Sequence, residues 1–559
     1  MFFKYIILDL DDTIYNYSLC HSISISEVFN LIHTKYDINT ELIIYKYKEI
    51  SNELKNILGN TASSHNKFIY FKHLVEYFKL DYSFVEELNV LYWNTFLHNI
   101  KLNNYIEEFL KWSVDNNIKL AILTDYQCEY QFKKLTKMNI LHYFNYILTS
   151  EETGHDKPHK MGYLEIMNYF NCNNNEIIMI GDNYNKDILG ANILNIYGYL
   201  FLNDKEIIIT NNNLFENFNN FQELLTKFNF ILNELNRLEK ISKYCGERFD
   251  LTQACGGNSS VKYGDIMFIK ASGFHLTNIN NTNGYVLINN KLLKADIQDN
   301  KFKSLSEYNI FNNKRASIET YMHSILKKYT IHLHPIQINK ILISKKCDDF
   351  INQYFPNSLL IEYNTPGINI CKDILNTYNN EEIIFLKNHG IIISVDEYEK
   401  LIPMLENILS IFEKKMNINF DKYKFVNQIS KHINNNYENI LYLCDDKIIN
   451  DYLFNKEELF LEKVTFPDAL IFCGINILFI DNLDELDIYF EIYKEYPKVI
   501  IIRGLIYIIN ISLQKCKDTE DVLKANLMIL DTIMEKTYLK NEEICYLNNW
   551  DDEKYRKVI

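Results

Sequence analysis

Two sets of side chains have the types and spacing that chemistry requires. The first begins at Leu8–Thr13, LDLDDT, which puts Asp9, Asp11 and Thr13 directly after an apolar run. Alone, that pattern reads equally as a solvated acidic turn or as one wall of a ligand crevice. Three later segments repeat the theme of polar groups at the end of an apolar run. They are Thr124 and Asp125 in KLAILTD, Lys157 in GHDKPHK, and Asp182 and Asp187 in GDNYNKDILGA. Acids brought together repel one another unless cations compensate, so a lysine and a metal ion belong to the same arrangement. The second set centres on IHLHP, in which His332 and His334 share a face if the segment is a strand. By itself such a pair is more often ordinary polar surface than a metal site. KNHGIII adds His389 beside a glycine, and RASIETYMHSIL places Glu319 and His323 on a helix leading into the paired histidines.

These residues need elements to hold them. Lys4–Leu10 (KYIILDL) has the pattern of a buried strand, and Leu19 to about Ser113 predicts helices, for example FIYFKHLVEYF at Phe68–Phe78. From Lys119 the strands KLAILTD, YFNYILTS, NEIIMIGD and GYLFL alternate with helical stretches of about 15–20 residues, which predicts a parallel sheet with crossover helices. In such a sheet the carboxyl ends of the strands face the ligand, and the polar groups named above fall there. The early helical block is then an insertion after the first strand. Asn203–Asn220, polar and Asn-rich, reads as a boundary, and an amphipathic helix is predicted near Phe221–Tyr244. From Cys245 to about Phe412, the strands MFIKA, YTIHLH, LLIEY and EIIFLKNHGIIIS among helices predict mixed α/β layers. Phe420–Lys456 reads as a helical or irregular connection. Phe466–Thr537 reads as three strands (ALIFC, ILFID, KVIIIRGLIYIINIS) and a closing helix.

The order carboxylates, hydroxyl, lysine, two carboxylates resembles the haloacid dehalogenase-like (HAD) superfamily across about residues 1–210. That resemblance implies a Rossmann-like α/β domain with a helical cap at about residues 15–105 that closes over substrate. It implies Asp9 as nucleophile and Asp11 as acid/base, with Thr124 and Lys157 on the phosphoryl oxygens. Mg²⁺ would sit on Asp9, Asp182 and the Asp11 carbonyl, and Asp187 would orient the metal shell or the lysine. An aspartate at position 11 favours the phosphatase branch over the dehalogenase branch.

The second set resembles the class II aldolase/adducin-head family across about residues 235–415. The matching pieces are G-G-N-x-S (Gly256–Ser260), K-A-S-G (Lys270–Gly273), S-x-E-x-x-x-H (Ser317–His323), H-x-H-P, Y-x-T-P-G (Tyr363–Gly367) and N-H-G. The short step from Glu319 to His332 resembles the rhamnulose-phosphate aldolase-type branch, as does FPDALIFCG within a smaller C-terminal α/β extension at 416–559. Residues 211–234 are left as a linker or helix. The resemblance implies Zn²⁺ on His332, His334 and His389, with Glu319 moving a proton. Asn258, Ser272, Gly273 and Ser317 would hold a substrate phosphate, assisted by Lys270, and His323 would be a structural hydrogen-bonding residue. A tyrosine from a neighbouring subunit, the proton donor in this family, stays unplaced among 41 Tyr.

Composition sets the outer bounds. A length of 559 residues allows about three or four folding units. With 47% hydrophobic and 23% charged residues the chain is neither disordered nor fibrous. A net charge of −15 offers nothing to draw the molecule to nucleic acid or an anionic membrane. Eleven Cys without a C-x-x-C pair read as reduced thiols of a cytoplasmic protein. ALIFCGINILFI is too short to span a bilayer, and Arg503 interrupts the apolar run at Val499–Ile511. The expectation is a bifunctional α/β enzyme of carbohydrate metabolism, an Mg²⁺-dependent phosphatase joined to a Zn²⁺-dependent aldolase. It would act on small phosphorylated sugars and form a homo-oligomer through the aldolase region. The alternatives are a sugar-phosphate dehydratase or epimerase joined to a phosphatase, or one half serving as an inactive binding module.

Overall fold

Strand β1 (Tyr5–Leu8) lies between β2 (Lys119–Thr124) and β4 (Ile177–Gly181), parallel to both. β3 (Tyr146–Thr149), β5 (Tyr197–Phe201) and β6 (Phe215–Phe218) complete a parallel sheet in the order β3-β2-β1-β4-β5-β6. Its central strands are continuous apolar runs rather than alternating ones because helices cover both faces. The chain moves outward from β1 through β2 to β3, then returns to β4 on the other side. That reversal opens a crevice at the carboxyl ends of β1 and β4.

The computed structural model describes residues 3–203, 215–311, 314–433, 439–532 and 534–549. The chain divides into two units, residues 1–233 with 310–312, and residues 234–309 with 313–559. In the first unit the insertion after β1 consists of helices Tyr17–Tyr36, Thr40–Leu58, Lys67–Tyr77 and Ser83–Asn99. Asn16, Asn39 and Asn66 start three of them, each side chain accepting a hydrogen bond from a first-turn N–H. The asparagine-rich composition thus supplies helix caps. The crossover helices Cys128–Lys137 and Lys160–Phe170 are shorter than expected, at 10 and 11 residues, because turns take up part of each connection. Much of the expected boundary at Asn203–Asn220 lies outside the described residues, but Phe215–Phe218 within it is the edge strand β6. Helix Phe221–Gly246 follows, seating Phe221 and Phe228 against Phe109 and Phe228 also against Phe3.

A second sheet, of eight strands, is built from β7 (Asn258–Tyr263), β8 (Ile266–Lys270), β9 (Tyr285–Asn289), β10 (Asn309–Phe311), β11 (Tyr329–Leu333), β12 (Leu359–Ile361), β13 (Ile383–Leu386) and β14 (Gly390–Val395). Their order is β10-β9-β8-β7-β11-β14-β13-β12. β11 runs antiparallel to β7 and to β14, which puts His332 opposite Asn258 on one side and Ile392 on the other.

A four-stranded sheet, β15-β18-β17-β16, follows, built from β15 (Ile440–Cys444), β16 (Leu478–Ile480), β17 (Val499–Ile502) and β18 (Leu505–Asn510). Here two sequence expectations change. ALIFC lies in helix Pro467–Cys473, which Pro467 starts from its first turn, where a missing N–H costs nothing. ILYLC, expected in a connection, is β15. The long run KVIIIRGLIYIINIS folds back at Arg503-Gly504, both at positive φ, into the hairpin of β17 and β18. Among the described residues no helix is long and apolar enough to cross a membrane.

Candidate active sites

In the first unit Asp9 leaves β1 at its carboxyl end, its N–H donating to Ile180 O at 2.9 Å. Lys157 Nζ donates to Asp9 Oδ1 and, at 2.7 Å, to Asp187 Oδ1. The lysine is itself fixed, because its N–H donates to Asp125 Oδ1 at 2.8 Å. Asp187 Oδ2 accepts from Asn183 N at 2.9 Å, and Thr13 Oγ1 donates to Asp9 Oδ2 at 3.1 Å. A Cβ on Gly181 would collide with the Asp187 carboxylate, which accounts for glycine at the end of β4. Carboxylate oxygens of Asp9, Asp182 and Asp187 all lie within 4.8 Å of one another. Burial lifts the Asp9 carboxyl well above its ordinary range; Lys157 opposes the rise, and Asp187 and Asp182 add to it. Burial works against the Lys157 ammonium, yet Asp187 and Asp9 hold it well above its usual value. Three acids and one ammonium leave a deficit of positive charge among oxygen-only donors, which a hard divalent cation such as Mg²⁺ fits.

Asp11 stands apart from that triad. Its Oδ1 accepts from Lys134 Nζ at 2.8 Å and from Tyr15 OH, and its Oδ2 from Gln131 Nε2 at 3.3 Å. Gln131 also donates to Thr124 Oγ1 at 2.6 Å, tying the expected phosphate-binding hydroxyl to the expected acid/base. The Lys134 ammonium lies 5.2–6.0 Å from the ring centroids of Tyr17, Trp93, Phe96 and Tyr126. Burial pushes Asp11 up, but Lys134 and the surrounding donors outweigh it and hold the carboxyl below its usual value. The sequence reading did not single out Gln131 or Lys134. Their one signal is that the buried stripe of helix Cys128–Lys137 consists of Gln131, Lys134 and Leu135, polar where it should be apolar. Asp9, Asp11, Thr124, Lys157, Asp182 and Asp187 line a cavity of about 220 Å³, together with Tyr17, His65 and Tyr126.

In the second unit the imidazoles converge. His332 Nε2 lies 3.0 Å from His334 Nε2 and 3.3 Å from His389 Nε2. His332 Nδ1 faces Ile391 O at 3.1 Å, so its proton belongs on Nδ1 and its Nε2 lone pair points into the cluster. Burial, reinforced by the neighbouring imidazoles, holds His332 well below its ordinary pKa and lowers His334 to about 4; burial lowers His389 as well. All three are therefore neutral near pH 7, the form that binds metal. A Cβ on Gly390 would strike Leu333 O and approach His334 Cδ2, so the glycine of N-H-G permits the close approach of two ligand-bearing segments. Three neutral imidazole donors within 4.8 Å of one another are a set that Zn²⁺ fits.

Glu319 precedes helix Thr320–Ile325 and brings Oε1 to 3.4 Å from His332 Nε2 and 3.6 Å from His389 Nε2. Burial raises it to about 7, against a hydrogen bond from Asn258 and the charge of Lys270. Asn258 Nδ2 donates to Glu319 Oε2, so the amide expected at a substrate phosphate is engaged with the glutamate. Ser317 Oγ accepts from Glu319 N at 3.4 Å. Ser272 and Gly273 form the turn after β8, where Gly273 has φ 80° and Ser272 N donates to Arg315 O at 2.8 Å. Lys270 Nζ donates to Cys255 O at 3.1 Å. His323 lies outside the triad, its Nδ1 2.7 Å from Ser260 Oγ.

Residues 6–198 match the family model of haloacid dehalogenase-like hydrolases, and residues 237–411 that of the class II aldolase and adducin N-terminal domain. The chain is thus an α/β fusion of a HAD-like hydrolase region with a class II aldolase region, two enzymatic families. Over 199 residues it is 28% identical to a ribulose-1,5-bisphosphate 5-phosphatase from Halopiger xanaduensis, covering 35% of this chain and 83% of that one. Over 205 residues it is 27% identical to a glyceraldehyde 3-phosphate phosphatase from Methanocaldococcus jannaschii, covering 36% of this chain and 86% of that one. A solved N-terminal class II aldolase domain of a conserved protein from Thermoplasma acidophilum aligns with TM-score 0.31 and 23% identity, covering 33% of this chain and 93% of that one.

Proposed function

We propose that the chain is a bifunctional enzyme of carbohydrate metabolism. One unit hydrolyses the phosphate ester of a small sugar phosphate, and the other makes or breaks a carbon–carbon bond in a phosphorylated sugar. The observation that carries this reading is that each unit holds its own cluster, three carboxylates, two of them on one lysine, in the first and three facing imidazoles with a glutamate in the second. The curated relatives of the first unit, named for ribulose bisphosphate and glyceraldehyde phosphate, support the substrate class.

In the phosphatase half, Mg²⁺ held by Asp9, Asp182 and the Asp11 carbonyl, with Asp187 beside it, supplies the charge that lets a carboxylate approach a phosphate dianion. Lys157 and Thr124 hold the phosphoryl oxygens while Asp9 attacks phosphorus and the bond to the sugar oxygen breaks. Asp11 gives its proton to that leaving oxygen. It then takes one from the water that attacks phosphorus, releasing inorganic phosphate and restoring Asp9. Lys134 keeps Asp11 ionised at rest, which suits the second step. For the first, the incoming dianion must raise Asp11 enough for it to bind a proton.

In the aldolase half, Zn²⁺ held by His332, His334 and His389 supplies the Lewis acidity that makes a bond next to a carbonyl labile. Glu319, raised to about 7 and aimed by Asn258, moves the proton. Ser272, Gly273 and Ser317 take the substrate phosphate with help from Lys270, and Asn258 joins them only by releasing Glu319. Unbridged cysteines support a reducing cytoplasm, and a homo-oligomer would supply the missing tyrosine donor.

A panel of phosphorylated ketoses, followed for both inorganic phosphate and dihydroxyacetone phosphate, tests the proposal. Release of both supports it. Phosphate alone would reduce the second unit to a dehydratase, an epimerase or a binding module, and triose phosphate alone would remove the hydrolase.

A further inference from the structure

The insertion after β1 supplies part of the phosphatase cavity itself. Of the residues that line it, Tyr17 and His65 come from the insertion, His65 from the 3₁₀ turn Ala62–His65. His65 Nε2 lies 2.9 Å from Asp156 Oδ2. Asp156 is only 4% exposed and does not itself line the cavity. Burial pushes its carboxyl up, but His65, Ser150 and the nearby Lys186 outweigh burial and hold it below its usual value. The same residue is tied to the insertion a second time, since Asp156 N donates to Asn60 O at 3.1 Å. Next in the chain is Lys157, whose ammonium donates to Asp9 and Asp187. The insertion is thus fastened beside that lysine, through a ring that also lines the cavity.

An ionised carboxylate accepts hydrogen bonds and donates none, so the proton of a neutral His65 belongs on Nε2. Nδ1 is left as an acceptor, and no described residue donates to it. With a phosphoryl group held by Thr124 and Lys157, the rest of the ester occupies what remains of the cavity, whose walls include His65. An acceptor there favours a hydroxyl, which can donate to it, over a carbonyl, which cannot.

We propose that His65, oriented by Asp156, is a specificity-determining residue of the first unit, accepting a hydrogen bond from a substrate hydroxyl beside the scissile ester. The preferred substrates are then phosphate esters whose neighbouring carbon carries a hydroxyl, and esters with a carbonyl at that carbon are poor ones. The assignment rests on the phosphatase reading of the same cavity. Glyceraldehyde 3-phosphate and dihydroxyacetone phosphate are isomers of equal charge that differ at that carbon, a hydroxyl in the first and a carbonyl in the second. The test measures kcat/KM of the full-length protein on each, supplied separately and followed as inorganic phosphate. Wild type should favour glyceraldehyde 3-phosphate by about tenfold or more. His65→Phe keeps a ring and removes the acceptor, so the ratio should fall towards unity. His65→Asn puts an amide oxygen near the place of Nδ1 and should restore part of the preference. Asp156→Asn leaves the imidazole but frees its tautomer, so the ratio should fall there too; this variant decides the matter if His65→Phe does not fold. Rates that drop equally on both esters would mean that His65 only holds the insertion in place, and would overturn the assignment. A wild type indifferent to the pair, or one that prefers dihydroxyacetone phosphate, would overturn it as well while leaving the phosphatase intact. Failure to release phosphate from any ester removes both.

Discussion

Asp9 has Thr13 and Lys157 on its oxygens, and carboxylate oxygens of Asp182 and Asp187 lie within 4.8 Å of its own. Asp9→Asn should lower phosphate release by at least about a thousandfold, because the amide cannot attack phosphorus. Aldol cleavage in the same protein should be unchanged; a folded variant lacking both activities would contradict independent sites. His332→Ala should lose bound zinc and carbon–carbon cleavage together, and full zinc occupancy by elemental analysis would overturn the ligand assignment. Lys134→Met leaves Asp11 buried without its counter-ion, so its pKa rises. The limb of the phosphatase pH–rate profile that reports Asp11 should move to higher pH, and an unmoved profile would mean that Lys134 only packs. The motif residues were legible because their spacing is fixed by strand ends. Lys134 and Gln131 were not, because a buried polar pair on a short helix looks the same in sequence as a solvated face.

At the scale of elements, the parallel strands of the first unit were readable as apolar runs, whereas β7 was missed. Its Asn258, Ser259 and Ser260 are polar yet buried, since they face Glu319, Ser242 and His323 rather than water. Function had erased the hydrophobic pattern by which a strand is recognised. β15 was hidden for another reason, a strand of five residues between two helices. Glu247, just beyond helix Phe221–Gly246, joins it to the preceding helix, accepting from Ser430 Oγ at 2.9 Å and from Leu441 N at 3.3 Å. Burial raises its pKa to about 7. The native state therefore keeps a proton that the unfolded chain releases near its ordinary value. The contribution to stability is full below that value, falls as pH rises towards 7, and is lost above it. Glu247→Gln removes this loss, so the variant should gain on wild type by about 3 kcal/mol between pH 4 and 8. Denaturant midpoints at the two pH values measure it. A gap that does not change with pH would show that Glu247 is already ionised in the fold.

For the whole molecule, the question is what joining regions of two enzymatic families achieves. A product released near a second site meets a higher local concentration than bulk solution offers. An equimolar mixture of Asp9→Asn and His332→Ala full-length proteins retains both activities on separate chains. If the two reactions act in sequence, wild type should carry more flux than this mixture, and equal flux would leave no kinetic case for the fusion. Sequence alone located both halves, but the partition near residue 234 runs through helix Phe221–Gly246, where no glycine or proline marks a break before the last turn.

The pairing of His332 with Asn258 across β11 and β7 carries one more implication. Asn258, which holds Glu319, and His332, one of the three clustered imidazoles, sit on facing rungs of a single ladder. Sliding either strand by one position would send its own member of the pair to the opposite side of the sheet and part the two. Insertions or deletions in these strands should therefore extinguish the second reaction outright instead of grading it, and adaptation to new substrates must come through the turns on either side.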